Sequence, residues 1–154
     1  MSIFPTKILL ATDGSVDSEL ALSTAVDLAN STSSELHVVH VVGLYYPDLQ
    51  SLSDPAFEEI LQGLEQEAQD LLDGQVRKIE EAGGTVQEVH SRRGRTDQQI
   101  VHLGEEIGAG LIVMGSRGFG GVRRALMGSV SDSVVRHAHC PVLVVRKEKH
   151  QAAF

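Results

Sequence analysis

A chain of 154 residues, with 42% apolar and 22% charged positions, is long enough to bury one core and has the composition of an ordinary soluble globular domain. Its formal charge of -8 argues against a basic surface that could displace counterions from a nucleic acid, and with no Trp, two Tyr and four Phe it has few platforms for stacking bases. The single cysteine, Cys140, excludes an internal disulfide framework, no apolar run approaches the roughly 18 residues of a membrane span, and MSIFPTKILL lacks a signal core, so a cytoplasmic protein without membrane or nucleic-acid partners is the expectation.

The first strand is expected at Lys7–Ala11 (KILLA), followed by the turn Thr12-Asp13-Gly14-Ser15. A helix then carries Leu20, Ala21, Ala25, Leu28 and Ala29 on one face. Glu35–Val42 (ELHVVHVV) is a second strand, with His37 and His40 on opposite faces and therefore not a catalytic pair. An unusually long connection, Gly43–Ser53, leads to Asp54 as a cap and Pro55 as the first helical residue. The helix places Phe57, Leu61, Leu64, Ala68, Leu71, Leu72, Val76 and Ile79 on its inner side. Its acidic side, with Glu58, Glu59, Glu65, Glu67 and Asp70, is expected to face solvent, and Gly83-Gly84 ends it.

Thr85–His90 (TVQEVH) alternates, as an edge or less covered strand would, and Arg92, Arg93 and Arg95 read as a solvated cluster. Thr96–Gln99 is a capping box ahead of a third helix with Ile100, Val101, Leu103 and Ile107, which Gly108-Ala109-Gly110 terminates. Leu111–Met114 is a fourth strand. Ser129–Asp132 is a second capping box, with Ser129 as the cap, ahead of Val134 and Val135. His137 and His139 are placed to complement a helix end rather than to bind metal, and Cys140 reads as an inert small residue. Val142–Val145 (VLVV) is the last strand, and Lys147–Phe154 the least ordered part with Gly43–Ser53.

The alternating order implies an α/β fold: an open, doubly wound, five-stranded parallel sheet with helices on both faces. Ligands of such sheets bind beyond the carboxyl ends of the strands, where the winding reverses. If the chain winds out through three strands and back through two, the loops after the first and fourth strands share one crevice. The stretch Gly115–Ser133 (GSRGFGGVRRALMGSVSDS) has the chemistry for an anion there, with five glycines, three arginines and four serines. Gly115 and Gly118 would let backbone approach a ligand and take positive φ, Gly128-Ser129 opens a helix whose amides suit a phosphate, and Ser129 and Ser131 add hydroxyls. Arg117, Arg123 and Arg124 can neutralise several charges. Neither a P-loop nor a dinucleotide-binding turn is present, because no glycine precedes Lys-Ser or Lys-Thr and Gly118-Phe-Gly120 lacks the third glycine.

Gly115-x-x-Gly118, nine residues, then Gly128-Ser129 resembles the G-2x-G-9x-G-S/T signature of the ATP-binding branch of the universal stress protein family. KILLATDGS, LIVMGSRG and GSVSDSVVRHAHCPVLVVR extend the likeness across nearly the whole chain. The resemblance implies strand order 3-2-1-4-5, a bound ATP, Mg²⁺ or Mn²⁺ held through the phosphates, and a homodimer. It implies Ala11, Thr12 and Asp13 beside the nucleoside, and Val41 at the adenine edge. Met114, Gly115, Arg117 and Gly118 would meet the ribose and phosphates, with Gly128, Ser129, Val130 and Ser131 closing over the phosphates. Asp13 could instead only end the strand and start a turn. Gly94–Thr96 (GRT) replaces the family's Gly-x-Pro turn, and Arg123-Arg124 is more basic than the pattern requires.

An apolar last strand at a sheet edge, Val142, Leu143, Val144 and Val145, would pair with a second copy. The reading that follows is a nucleotide-dependent regulatory module with slow or no hydrolysis. Two others compete: an ATP-hydrolysing or adenylating enzyme, weakly suggested by Asp13–Ser18 (DGSVDS), and a dimeric interaction protein without nucleotide. No catalytic constellation is identifiable in the sequence.

Overall fold

The structure is a computed structural model that describes residues 2–43, 55–116 and 128–147. The strands are β1 (Lys7–Ala11), β2 (Glu35–Gly43), β3 (Val86–Gly94), β4 (Leu111–Gly115) and β5 (Val142–Val145). The helices between them are α1 (Val16–Thr32), α2 (Pro55–Glu81), α3 (Thr96–Ile107) and α4 (Ser129–His137). The sheet is parallel throughout, in the order β3-β2-β1-β4-β5. The winding therefore reverses between β1 and β4, as the family resemblance implied.

Residues of alternate parity along the central strands face opposite cores. Ile8, Leu10, Leu36, Val38, Leu111 and Val113 pack with the inner faces of α1 and α2. Leu9, Ala11, Val39, Val41, Ile112 and Met114 pack with Ile100, Val101 and Leu103 of α3 and Val134 of α4. Burial on both faces explains why β1, β2 and β4 read as continuous apolar runs.

Several boundaries depart from the sequence reading. β3 runs on to Gly94 rather than stopping at His90, because its pairing with β2 continues through Val42↔Arg93 and Gly43↔Gly94. Leu20 is 38% exposed, while Ser18, Leu22 and Val26 complete the buried stripe of α1 in its place. Neither capping box forms as expected. Arg95 caps α3 without a side-chain bond, and the Asp97 carboxylate instead accepts from Arg95 Nε (2.9 Å) and Ser133 Oγ (2.6 Å). Gly128, not Ser129, is the N-cap of α4, and Ser129 is its first helical residue. Gly83 and Gly108 do end α2 and α3 with positive φ, of 88° and 70°. The connection after Gly43, Asp54 and the tail from Glu148 lie outside the described residues.

Candidate functional site

The loops leaving β1 and β4 meet above the reversal point. Ser116 Oγ donates to Asp17 Oδ2 in the first turn of α1 (2.9 Å). Ser116 N–H donates to Val145 O of β5 (2.9 Å), and Gly128 N–H donates to Ser116 O. Gly128 thus lies directly beside Ser116. Two ends of the glycine signature are brought together, although Arg117, Gly118, Arg123 and Arg124 lie outside the described residues.

Each remaining candidate has a definite place. Ala11 and Met114 are 1% and 0% exposed, with side chains in the core, so they shape the crevice floor rather than reach into it. Thr12 is fully buried, and its hydroxyl points inward at Gln75 Oε1 (3.1 Å) and Ser18 Oγ (3.3 Å). Its carbonyl lies 2.8 Å from His40 Nδ1, and its hydroxyl oxygen also receives Gly14 N–H. Asp13 Oδ1 accepts from Ser15 N (2.9 Å), an Asx turn that starts α1, so the turn-forming role is realised with its second carboxylate oxygen left over for other partners. Ser15 Oγ then caps α1 by accepting from Ser18 N.

Gly115 is a glycine for a different reason than the one expected. It is not among the residues with positive φ. A Cβ there would meet Asp17 C at 2.8 Å and Ser18 N at 3.0 Å, so the position is reserved for the close passage of α1 over β4. Ser131 also departs from expectation. It is 2% exposed, and its hydroxyl bonds to Ser116 O (2.9 Å) and Gly128 O (3.1 Å), so it clasps the two ends of the loop instead of presenting a free donor. Val130 packs against the second core, whereas Ser129 is exposed at the start of α4. Gly128 has no side chain with which to cap α4, so beside Ser116 the helix presents first-turn amides without a side-chain cap among the described residues, and the positive end of its dipole.

Val41 lies at the carboxyl end of β2, where a recess of about 290 Å³ is bounded by His40, Val41, Val42, Gly43 and, from α2, Leu64, Glu67, Ala68 and Leu71. A partly apolar recess at the end of β2 and a helix amino end beside Ser116 suit a molecule with a flat apolar part and an anionic part.

The model of the universal stress protein family matches residues 5–146. The chain belongs to this family. Universal stress protein MJ0531 of Methanocaldococcus jannaschii is 36% identical over 145 residues, covering 94% of this chain and 84% of that protein. Among solved structures, the hypothetical protein MJ0577 superposes with a TM-score of 0.81 at 27% identity, over 96% of this chain and 99% of the other. A universal stress protein from Archaeoglobus fulgidus in complex with dAMP matches 94% of this chain and 99% of its own with a TM-score of 0.64, and at 24% identity shares the fold.

Family membership fits the arginines outside the crevice less directly. Arg92 pairs with Glu106 (2.6 Å), Arg93 with Glu65 (3.0 Å) and Arg95 with Asp97 (2.9 Å), so the arginines of β3 and of the α3 N-cap are matched by carboxylates of α2 and α3. His137 sits in the last turn of α4 bonded to Ser133, and His139 pairs with Glu105 (2.8 Å), which leaves both to a structural role. Burial pushes the Cys140 thiol above its ordinary range, in keeping with an unreactive residue.

Sequence reasoning missed Asp17, Ser18, His40, Gln75 and Ser116, which build the crevice walls. Only Gln75 left a clear trace: it is a polar residue in the apolar stripe Ala68-Leu72-Gln75-Ile79.

Proposed function

We propose that the crevice binds ATP and that the protein is a nucleotide-responsive regulatory module acting in the cytoplasm. The observation that carries this reading is the amino end of α4, which has no side-chain cap bond among the described residues and is joined through Ser116 to the first turn of α1 at the reversal point of the sheet. The adenine would lie against the Val41 recess and the ribose over the Asp13 loop. The phosphates would take the first-turn amides of α4 and the exposed Ser129 hydroxyl. Arg117 and Gly118 enter the reading through the signature spacing. When bound, Mg²⁺ or Mn²⁺ would neutralise phosphate charge. The fold is one that holds an adenine nucleotide in the Archaeoglobus fulgidus relative.

Homodimerisation through β5 belongs to the same reading. β3 guards its edge with Glu88, Arg92 and Arg93, whereas β5 offers only Val142, Leu143, Val144 and Val145, with Leu143 36% exposed. Because Ser116 N–H bonds Val145 O, occupancy of the crevice would bear directly on that edge.

The test is calorimetric titration of nucleotide-free protein with ATP and Mg²⁺, against Ser129→Asp. A carboxylate at the first helical position favours α4 itself by roughly 0.3–1 kcal/mol yet repels phosphates. ATP affinity should fall by about 10-fold or more with no loss of thermal stability, while adenosine binding is unchanged. Equal ATP affinity in both proteins would refute the phosphate assignment. Phosphate release sustained above about 1 s⁻¹ would favour an enzyme over a switch.

A further inference from the structure

His37 of β2 and His90 of β3 form a pair that the crevice does not use. His37 is 3% exposed, the two rings stack with centroids 5.6 Å apart and planes 18° apart, and His37 Nδ1 lies 3.4 Å from His90 Nε2. A register shift makes the pair. Pairing runs Leu36↔Val86 and then His37↔Glu88, which skips Gln87. Without that bulge, strict alternation would set His37 beside Gln87 and turn Glu88 and His90 to the opposite face. With it, His37, Glu88 and His90 share one face, the one covered by α3.

The pair cannot satisfy itself. If His37 Nδ1–H donates to His90 Nε2, then His37 Nε2 is a bare buried acceptor. If His90 Nε2–H donates instead, His37 Nε2–H is a buried donor. His37 Nε2 is buried with no hydrogen-bond partner among the described residues. With the ring proton on that atom, His37 Nδ1 is left unprotonated and able to act as a ligand. Across the pair, Glu88 Oε1 stands 3.9 Å from His90 Nδ1, and one ligand atom from each of the three residues lies within 4.8 Å of the others. Two imidazole nitrogens on a tetrahedral zinc, each about 2.0–2.1 Å from the metal, are separated by about 3.4 Å. The 3.4 Å between His37 Nδ1 and His90 Nε2 is close to that spacing; because Glu88 stands beside the other ring nitrogen of His90, closing all three on one ion takes a turn of the His90 ring or of the Glu88 side chain.

We propose that His37, His90 and Glu88 form a binding site for one zinc-class divalent cation, with two nitrogen ligands, one carboxylate and a fourth position open to water. Glu88 is an exposed side chain with the rotamer freedom to close on the ion. Burial holds both imidazoles below their ordinary pKa, which keeps them in the neutral, ligating form at neutral pH. Other charges around the pair are mixed: Glu35 and Glu106 on one side of the balance, Lys7 and Arg92 on the other. With Glu88 this leaves an excess of one negative charge. Two nitrogens and one oxygen favour Zn²⁺, Ni²⁺ or Cu²⁺ over Mg²⁺ and Mn²⁺, so this site is separable from any metal carried by a nucleotide. It is also separate in space: His37 pairs with Leu9, four residues below Val41, or about 13 Å along the strand.

The experiment is titration of the untagged, nucleotide-free chain with Zn²⁺ against a chromophoric competitor, with Co²⁺ as the spectroscopic probe. One Zn²⁺ per chain and the visible absorption of four-coordinate Co²⁺ are expected. His90→Gln should weaken binding by about 100-fold or more, and Glu88→Gln, at an exposed position with little bearing on folding, by about 10-fold. His139→Gln, which alters a surface imidazole elsewhere, should leave affinity unchanged. Absence of stoichiometric Zn²⁺ binding by the wild type, or wild-type affinity in Glu88→Gln and His90→Gln, would overturn the proposal.

Discussion

Gly115→Ala separates the two reasons for which a glycine can stand at the end of β4. An added Cβ would lie 2.8 Å from Asp17 C, 2.9 Å from Asp17 Cβ and 3.0 Å from Ser18 N. Two of these three atoms are backbone, held by the Ser15 cap and by the Ser116–Asp17 bond, so they cannot rotate away. Restoring ordinary contact requires the amino end of α1 to lift by roughly half an ångström or more, and overpacking of this kind costs about 1–3 kcal/mol. Urea unfolding should show a lower midpoint with an unchanged slope. Gly63→Ala is the control. It lies within α2, no atom would come within 4 Å of the new Cβ, and the change should stabilise by about 0.5–1 kcal/mol. If Gly115→Ala were as stable as the wild type while Gly63→Ala behaved as expected, close packing would not be the reason for the glycine.

Thr12→Val should lower stability by about 1–3 kcal/mol, because it strands the Gln75 amide oxygen and the Gly14 amide, and a melting temperature matching the wild type would contradict this. Asp97 carries the acid sensitivity of the α3–α4 contact. Burial pushes its carboxyl up, but the hydrogen bonds from Ser133 and Arg95 outweigh burial and hold it below its ordinary value of 3.8. The folded value is depressed, so the stabilisation is complete above the ordinary value and is lost as the pH falls through the folded one. Asp97→Asn should therefore be less stable than the wild type by about 1–3 kcal/mol at neutral pH, with the two denaturation midpoints converging at strongly acidic pH. A gap that stays constant on acidification would refute the assignment. Val144→Lys should weaken the β5 dimer by placing charge in the seam, as read by sedimentation; a wild type that is monomeric with and without ATP would remove the basis for that reading.

Fold class was legible in the sequence because it follows from local signals, whereas the strand order that makes β1 and β4 neighbours was implied by the family resemblance. Strands buried on both faces lose their alternation, helices declare themselves by stripe and cap, and parallel connections have one favoured hand. The glycine spacing Gly115-x-x-Gly118 to Gly128-Ser129 was likewise readable as a chain-local pattern. Tertiary structure decided what those residues do. Gly115 yields to α1, a neighbour far away in the chain, and Ser131 donates its hydroxyl to Ser116 O. Gly128 holds the N-cap position expected of Ser129, with its amide bonded to Ser116 O. The His37–His90 pair was hidden for the same kind of reason. A one-residue bulge between two strands leaves no mark on either strand's own pattern, since register belongs to the pairing and not to the chain.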